Sequence, residues 1–276
     1  MSLTMGRGPL AADAADTANY RIEAPQRRLL FDPFPRRVRA VFAGATLLDT
    51  VHGMLLHETG RLPQLYVPQA EMSGHRLRPT DTRIDCPVKG TTHFHSVTVE
   101  DRVAEDAVWS HPDPPAPARW LRGYHGVSFD AMDAWFDEAE QVYGHLRDPY
   151  HRVDTRATDR RVRVTLGSRV LAESDRPVLL SETGLPNRLY IPAADVRADK
   201  LTPSATSTVC PYKGTADYID VGDVSEVAWR YREPLSDAAG VAGYWSFDDT
   251  KVAVLADARS APGDPALRRV ADPQRP

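Results

Sequence analysis

Residues 180–192, LSETGLPNRLYIP, laid over residues 56–68, LHETGRLPQLYVP, agree at seven of thirteen positions with a constant offset of 124. At the same offset residues 201–215, LTPSATSTVCPYKGT, agree with residues 77–91, LRPTDTRIDCPVKGT, at eight of fifteen. A chain that repeats itself in this way must fold twice into one shape, so the fold has to fit within half of its 276 residues. The period is too long for a solenoid, whose units run to roughly 20–50 residues. Further on, Trp109 with Pro114 answers Trp229 with Pro234 at an offset of 120, and Gly123-Tyr124 answers Gly243-Tyr244. Four residues were therefore gained or lost between these blocks. The first copy is set at 36–150 and the second at 151–258, with a tail and lead-in over 1–35 and a C-terminal tail over 259–276. Residues 1–25 and 259–276, rich in Ala, Asp, Arg, Gly and Pro, read as loose. The junction runs through RDPYHRVD, where Asp148-Pro149 favours an extended or turning chain.

Within each copy the periodicity is that of strands. In RRVRVTLGSRVLAES, Val162, Val164 and Leu166 alternate with polar residues, Gly167-Ser168 supplies a turn, and Val170 and Ala172 resume the alternation, which predicts a hairpin. RVRAVFAGATLLDT in the first copy has the same form around Ala43-Gly44. Short apolar runs follow at LLSE, RLYIP, ADYIDV, VAWRY and KVAVLAD, each bounded by turn residues. The fold class is mainly β: two tandem copies of a small antiparallel barrel- or tent-like domain, with little helix. Residues 130–147 carry helical spacing in Met132, Trp135, Ala139, Val142 and Leu146. The repeat sets DAMDAWF opposite DDTKVAV, a strand pattern, so a strand is expected near 133–136, followed by a turn or short helix. PDPPAPARW at 112–120 reads as an irregular connection, since proline lacks the amide a ladder needs.

Composition narrows the function. No apolar run approaches the roughly 20 residues of a membrane span, and no basic, apolar leader opens the chain. Two cysteines are no disulfide framework. A cytoplasmic protein with no membrane partner is expected. The net charge is -4 without a basic block, so nucleic acid is not an expected partner. Of 34 basic residues only Lys89, Lys200, Lys213 and Lys251 are lysine, so a lysine here invites a reason.

Two of the four sit in the densest shared motif, Cys210-Pro211-Tyr212-Lys213-Gly214-Thr215 and Cys86-Pro87-Val88-Lys89-Gly90-Thr91. A compact ammonium suits anion holding, a nucleophilic or basic role, or an ion pair that pins a turn. Cys210 and Cys86 are either activated thiols or small buried hydrophobes. Glu182 and Glu58, in the shared Glu-Thr-Gly triplet, are candidate partners for the lysines or else turn residues. Tyr190, Tyr218, Trp229 and Tyr231, with Tyr66, Phe94 and Trp109 opposite three of them, are either core or the apolar wall of a ligand pocket. All nine histidines lie at or before 151, and each copy has one cysteine, so no symmetric metal site is expected. The copies are unequal: Ser181, Tyr212, Asp217, Tyr218 and Tyr231 face His57, Val88, His93, Phe94 and His111. If a single copy works, it is the second.

ETGLPNRLYIP, TVCPYKGTADY and AWRYREP together resemble the family known as domain of unknown function 427, in which tandem arrangements occur. The resemblance covers most of 36–258 and is fuller in the second copy, the first departing at Val88, Phe94 and His111. It implies a compact β fold of barrel or tent type, a groove near the CPYKG loop, and no established activity. The family has also been grouped with nucleotidyltransferase-like domains, but the chain shows neither a glycine-rich phosphate loop nor paired metal-binding aspartates. Three readings follow. The first is a small-molecule-binding module of unspecified ligand and cofactor. Its ligand residues are Glu182, Tyr190, Cys210, Tyr212, Lys213, Tyr218, Trp229 and Tyr231, with Glu58, Tyr66, Cys86, Lys89 and Trp109 in the first copy. The second is an enzyme, hydrolase or transferase, using Lys213 or Cys210 with Glu182. The third is a protein-interaction module. Oligomeric state is left open, since a duplication can stand in for a homodimer.

Overall fold

The computed structural model describes residues 3–4, 25–197, 199 and 201–257. The tails expected at 1–25 and 259–276 lie, apart from Leu3, Thr4 and Pro25, outside the described residues, as does Lys200. The chain divides into two compact units, residues 1–151 and 152–276.

The first unit contains β1 (Leu29–Pro33), β2 (Val38–Phe42), β3 (Ala45–Thr50), β4 (Met54–Glu58), β5 (Gln64–Pro68), β6 (Leu77–Cys86), β7 (Gly90–Val99), β8 (Arg102–Ser110), β9 (Tyr124–Val127), β10 (Ala134–Asp137) and β11 (Glu140–Val142). The second contains β12 (Val153–Ala157), β13 (Arg161–Leu166), β14 (Arg169–Ser174), β15 (Val178–Glu182), β16 (Arg188–Ile191), β17 (Thr202–Cys210), β18 (Gly214–Val221), β19 (Val224–Tyr231), β20 (Trp245–Phe247) and β21 (Ala253–Asp257). A seven-stranded sheet runs β1-β4-β5-β9-β8-β7-β6 in one unit and β12-β15-β16-β20-β19-β18-β17 in the other. The smaller sheets are β11-β10-β2-β3 and β14-β13-β21. The mainly β, twofold architecture is thus the one the repeat requires, and both expected hairpins form, β2–β3 and β13–β14. Among the described residues the helical turns are all 3-10.

Residues 130–147 do not form a helix. Ala134–Asp137 is the expected strand and residues 138–139 the expected turn, but the chain then enters a second strand, β11, that was not expected, pairing Trp135 with Val142. The left-handed backbone of Glu138 (φ 54°) makes the reversal. Met132, Trp135, Val142 and Leu146 are all buried, but from a turn, two strands and a loop, so their spacing imitates one helical face. The stretch 112–120 is irregular at first and then enters the 3-10 helix Ala116–Leu121, which Ser236–Val241 matches.

Each unit carries two apolar clusters, one on either face of the long sheet. Leu55 and Leu56 are neighbours on β4, yet they belong to different clusters, since successive strand side chains point to opposite faces. Leu55 joins Val38, Leu48, Val97 and Trp135 between the sheets. Leu56 joins Tyr66 and Leu121, with Trp109 and Phe31 packed against them. In the second unit the corresponding group gathers around Leu180, Tyr190, Tyr212 and Tyr231. That second face carries the site.

Candidate functional site

The CPYKG loop is the tip of the β17–β18 hairpin, with Cys210 paired to Gly214. Its glycine is required by the backbone: Gly214 has φ +97°, and a Cβ there would come within 3.2 Å of the Glu233 carbonyl oxygen. The same holds at Gly90, whose Cβ would lie 2.9 Å from the Asp113 carbonyl oxygen. Three strands, β16, β20 and β19, separate β15 from β18 in sheet order. The hairpin tip nonetheless meets the end of β15, since Lys213 at the tip reaches Glu182, the last residue of that strand.

There Lys213 Nζ donates to Glu182 Oε2, with both side chains about nine-tenths buried. Lys89 Nζ repeats the contact to Glu58 Oε2 at 2.6 Å. A buried ion pair stands only when its geometry offsets the loss of water around both charges, and this one occurs twice. Beside it Trp229 Nε1 donates to Tyr190 Oη at 3.1 Å, and Trp109 Nε1 to Tyr66 Oη at 2.9 Å. Register explains this pairing: Tyr190, Ser246 and Trp229 lie side by side on β16, β20 and β19, as Tyr66, Gly126 and Trp109 do on β5, β9 and β8. Burial pushes the Tyr190, Tyr66 and Tyr231 phenols far above their ordinary value, so all three are neutral.

In the second unit these residues line a cavity of about 360 Å³, toward the small end of the roughly 300–1,000 Å³ of ligand pockets. Of the residues expected at a site, Glu182, Tyr190, Lys213, Tyr218, Trp229 and Tyr231 line it. Cys210 and Tyr212 do not: Tyr212 is buried in the cluster around Tyr190, and Cys210 packs half-buried against that cluster. Four charged lining residues were not expected from the motifs, namely Arg188, Glu226, Asp248 and Lys251. The first copy has Gln64, Ser128 and Ala131 opposite Arg188, Asp248 and Lys251, so comparing the copies could not find these three, whereas Glu226 is matched by the carboxylate of Asp106. The scarcity of lysine pointed at Lys251 alone.

The first unit packs the same residues differently. A Cβ on Gly126 would lie 2.2 Å from Trp109 Cε2, so the indole rests on bare backbone. His111 replaces Tyr231, and its Nε2 lies 3.1 Å from Tyr66 Oη. Burial, reinforced by Lys89, lowers the His111 pKa to about 4. The neutral ring and the tyrosine hydroxyl share this hydrogen bond, while the tyrosine oxygen also accepts from Trp109. Glu58 is ringed by Lys89, by Arg27 at 3.5 Å and by Arg61 at 3.5 Å, and Arg27 Nη1 also reaches Cys86 Sγ at 3.7 Å. Phe94 and Tyr218 take equal stations, each 6.5 Å from its tryptophan.

Both cysteines are free thiols. No group of three or more His, Cys, Asp or Glu among the described residues is placed to hold a metal ion. Among the same residues no helix is long and apolar enough to cross a membrane.

Each unit is therefore an antiparallel β domain with a buried lysine–glutamate pair beside a hydrogen-bonded tyrosine–tryptophan pair. The chain belongs to the family described as domain of unknown function (DUF427), whose model matches residues 30–138 and again 154–258. No curated protein matches the chain.

Proposed function

We propose that the chain is a small-molecule-binding module whose working pocket is that of the second repeat, beside the Cys-Pro-Tyr-Lys-Gly loop. Tyr190, Tyr218 and Trp229 form its apolar wall, and Lys213 and Glu182 are its polar anchors. The observation that carries this reading is the repeated Lys–Glu pair, which in the second unit sits in a cavity rather than in solid core. The lining includes the exposed Leu185, so the cavity opens to solvent, and ligand sites combine aromatic walls with a few fixed polar groups. The first repeat keeps the pair, but its tryptophan lies against the sheet. A cytoplasmic setting fits the two free thiols.

The test is a thermal-shift screen of a metabolite library against the full chain, repeated with Lys213→Met and Tyr190→Phe. Compounds that raise the melting temperature of the parent should fail to do so with Lys213→Met. A folded Lys213→Met chain that keeps every such shift would end the reading.

A further inference from the structure

Three cations (Arg188, Lys213, Lys251) and three carboxylates (Glu182, Glu226, Asp248) line the second-repeat cavity. Each cation already has a carboxylate partner. Lys213 is held by Glu182. Lys251 lies 3.5 Å from Asp248 and 4.0 Å from Glu226. Arg188 Nη1 donates to Asp249 at 2.7 Å, and its guanidinium sits 5.7 Å from the centre of the Trp229 ring. An entering anion would meet no surplus of positive charge and would lie against Glu182, Glu226 and Asp248; an entering cation would face the mirror-image problem.

A hydroxyl, unlike either ion, both donates and accepts. A ring bearing adjacent hydroxyls can donate to the carboxylate and accept from the ammonium of one ion pair without parting them. The cavity offers such pairs at Lys213–Glu182, in its buried part, and at Lys251–Asp248, which is more exposed. Tyr218 and Trp229 line the same cavity, with ring centres 6.5 Å apart and planes tilted by 41°, an apolar wall for the C–H face of a saturated ring. We infer that the second-repeat pocket takes an uncharged, polyhydroxylated ring, that is, a neutral monosaccharide unit. The inference rests on the pocket reading above and adds the ligand's class.

Saturation-transfer NMR on the full chain tests it, using the methyl glycosides of glucose, galactose and mannose, with disaccharides to separate a free sugar from the end unit of a longer one. Glucose 6-phosphate, phenylalanine and uracil represent an anion, a zwitterion and an uncharged planar ring. The expected result is saturable binding of at least one neutral glycoside, weakened at least tenfold in Trp229→Ala and in Tyr218→Ala, and changed less than twofold between low and high salt. Using two wall variants keeps the test decisive if one fails to fold. Tighter binding of glucose 6-phosphate than of its neutral parent would overturn the charge-balance argument. Binding of phenylalanine or uracil alone, lost in Trp229→Ala, would overturn the sugar inference and leave the pocket reading standing. If no panel compound binds, the sugar inference falls, and the library screen with Lys213→Met decides separately on the pocket.

Discussion

Removing one partner of the Lys213–Glu182 pair leaves the other charge unpaired and largely enclosed by protein, since Lys213 is only 9 % exposed. Breaking such a pair costs about 3–5 kcal/mol, whereas replacing both partners by apolar groups of similar size can be nearly neutral. Glu182→Gln should therefore destabilise the second repeat more than the double variant Glu182→Leu/Lys213→Met. Urea denaturation followed by tryptophan fluorescence checks the order. If the double variant is the weaker, the pair contributes net stability beyond mutual neutralisation. The lysine is also where sequence reasoning was most informative. In a chain that otherwise uses arginine, two lysines in one shared motif pointed to a specific duty, and each is found on the glutamate of the shared Glu-Thr-Gly triplet. The same reasoning stopped short at Lys251, which no motif frames: Asp248 meets it within one local turn, but Glu226 reaches it only through tertiary packing.

At the level of the strand, one contrast between the two sites lies at a single position, Gly126 on β9 against Ser246 on β20. The Trp109 indole occupies the space that a side chain on Gly126 would need. Trp229 faces a serine at that position, whose Oγ is buried without a hydrogen-bond partner among the described residues. Gly126→Ser should force Trp109 from its seat and destabilise the first repeat by about 1–3 kcal/mol, the usual cost of overpacking, read as a lower urea midpoint. Ser246→Gly should let Trp229 settle onto the sheet and shrink the cavity, reducing any ligand-induced thermal shift. A Ser246→Gly chain that binds as the parent does would show that the serine does not hold the pocket open. Such a contact was not legible in the sequence. Gly126 and Ser246 match at the offset of 120, but only the strand order β5-β9-β8 sets each between a tyrosine and a tryptophan. The hairpins were legible because their alternation and turns are local. The β10–β11 pair was half legible: the repeat gave β10, while β11 has no counterpart among the described strands of the second unit.

For the whole molecule, duplication followed by divergence has concentrated the acid-sensitive groups in one half, since all nine histidines lie at or before residue 151 and the first unit ends there. Burial lowers the pKa of His111 and of His125 to about 4, and it depresses His57, His95 and His145 as well. In the unfolded chain these rings titrate near 6.5. Above that pH both states are neutral and the histidines leave stability unchanged. As the pH falls from about 6.5 toward 4 the unfolded chain takes up protons that the folded one refuses, and stability is lost across that window. For His111 and His125 the loss by pH 5 is on the order of 2 kcal/mol each. The second unit has no histidine, so between about pH 6.5 and 5 it should change little, its depressed carboxylates Asp195 and Asp248 weakening it only nearer pH 4. Limited proteolysis at pH 7 and pH 5 with an acid-tolerant protease, the cuts mapped by mass spectrometry, should show new cleavage confined to residues 25–151 at the lower pH. Equal sensitisation of residues 152–257 would mean that carboxylates shared by both copies, rather than the buried histidines of the first, govern the acid response.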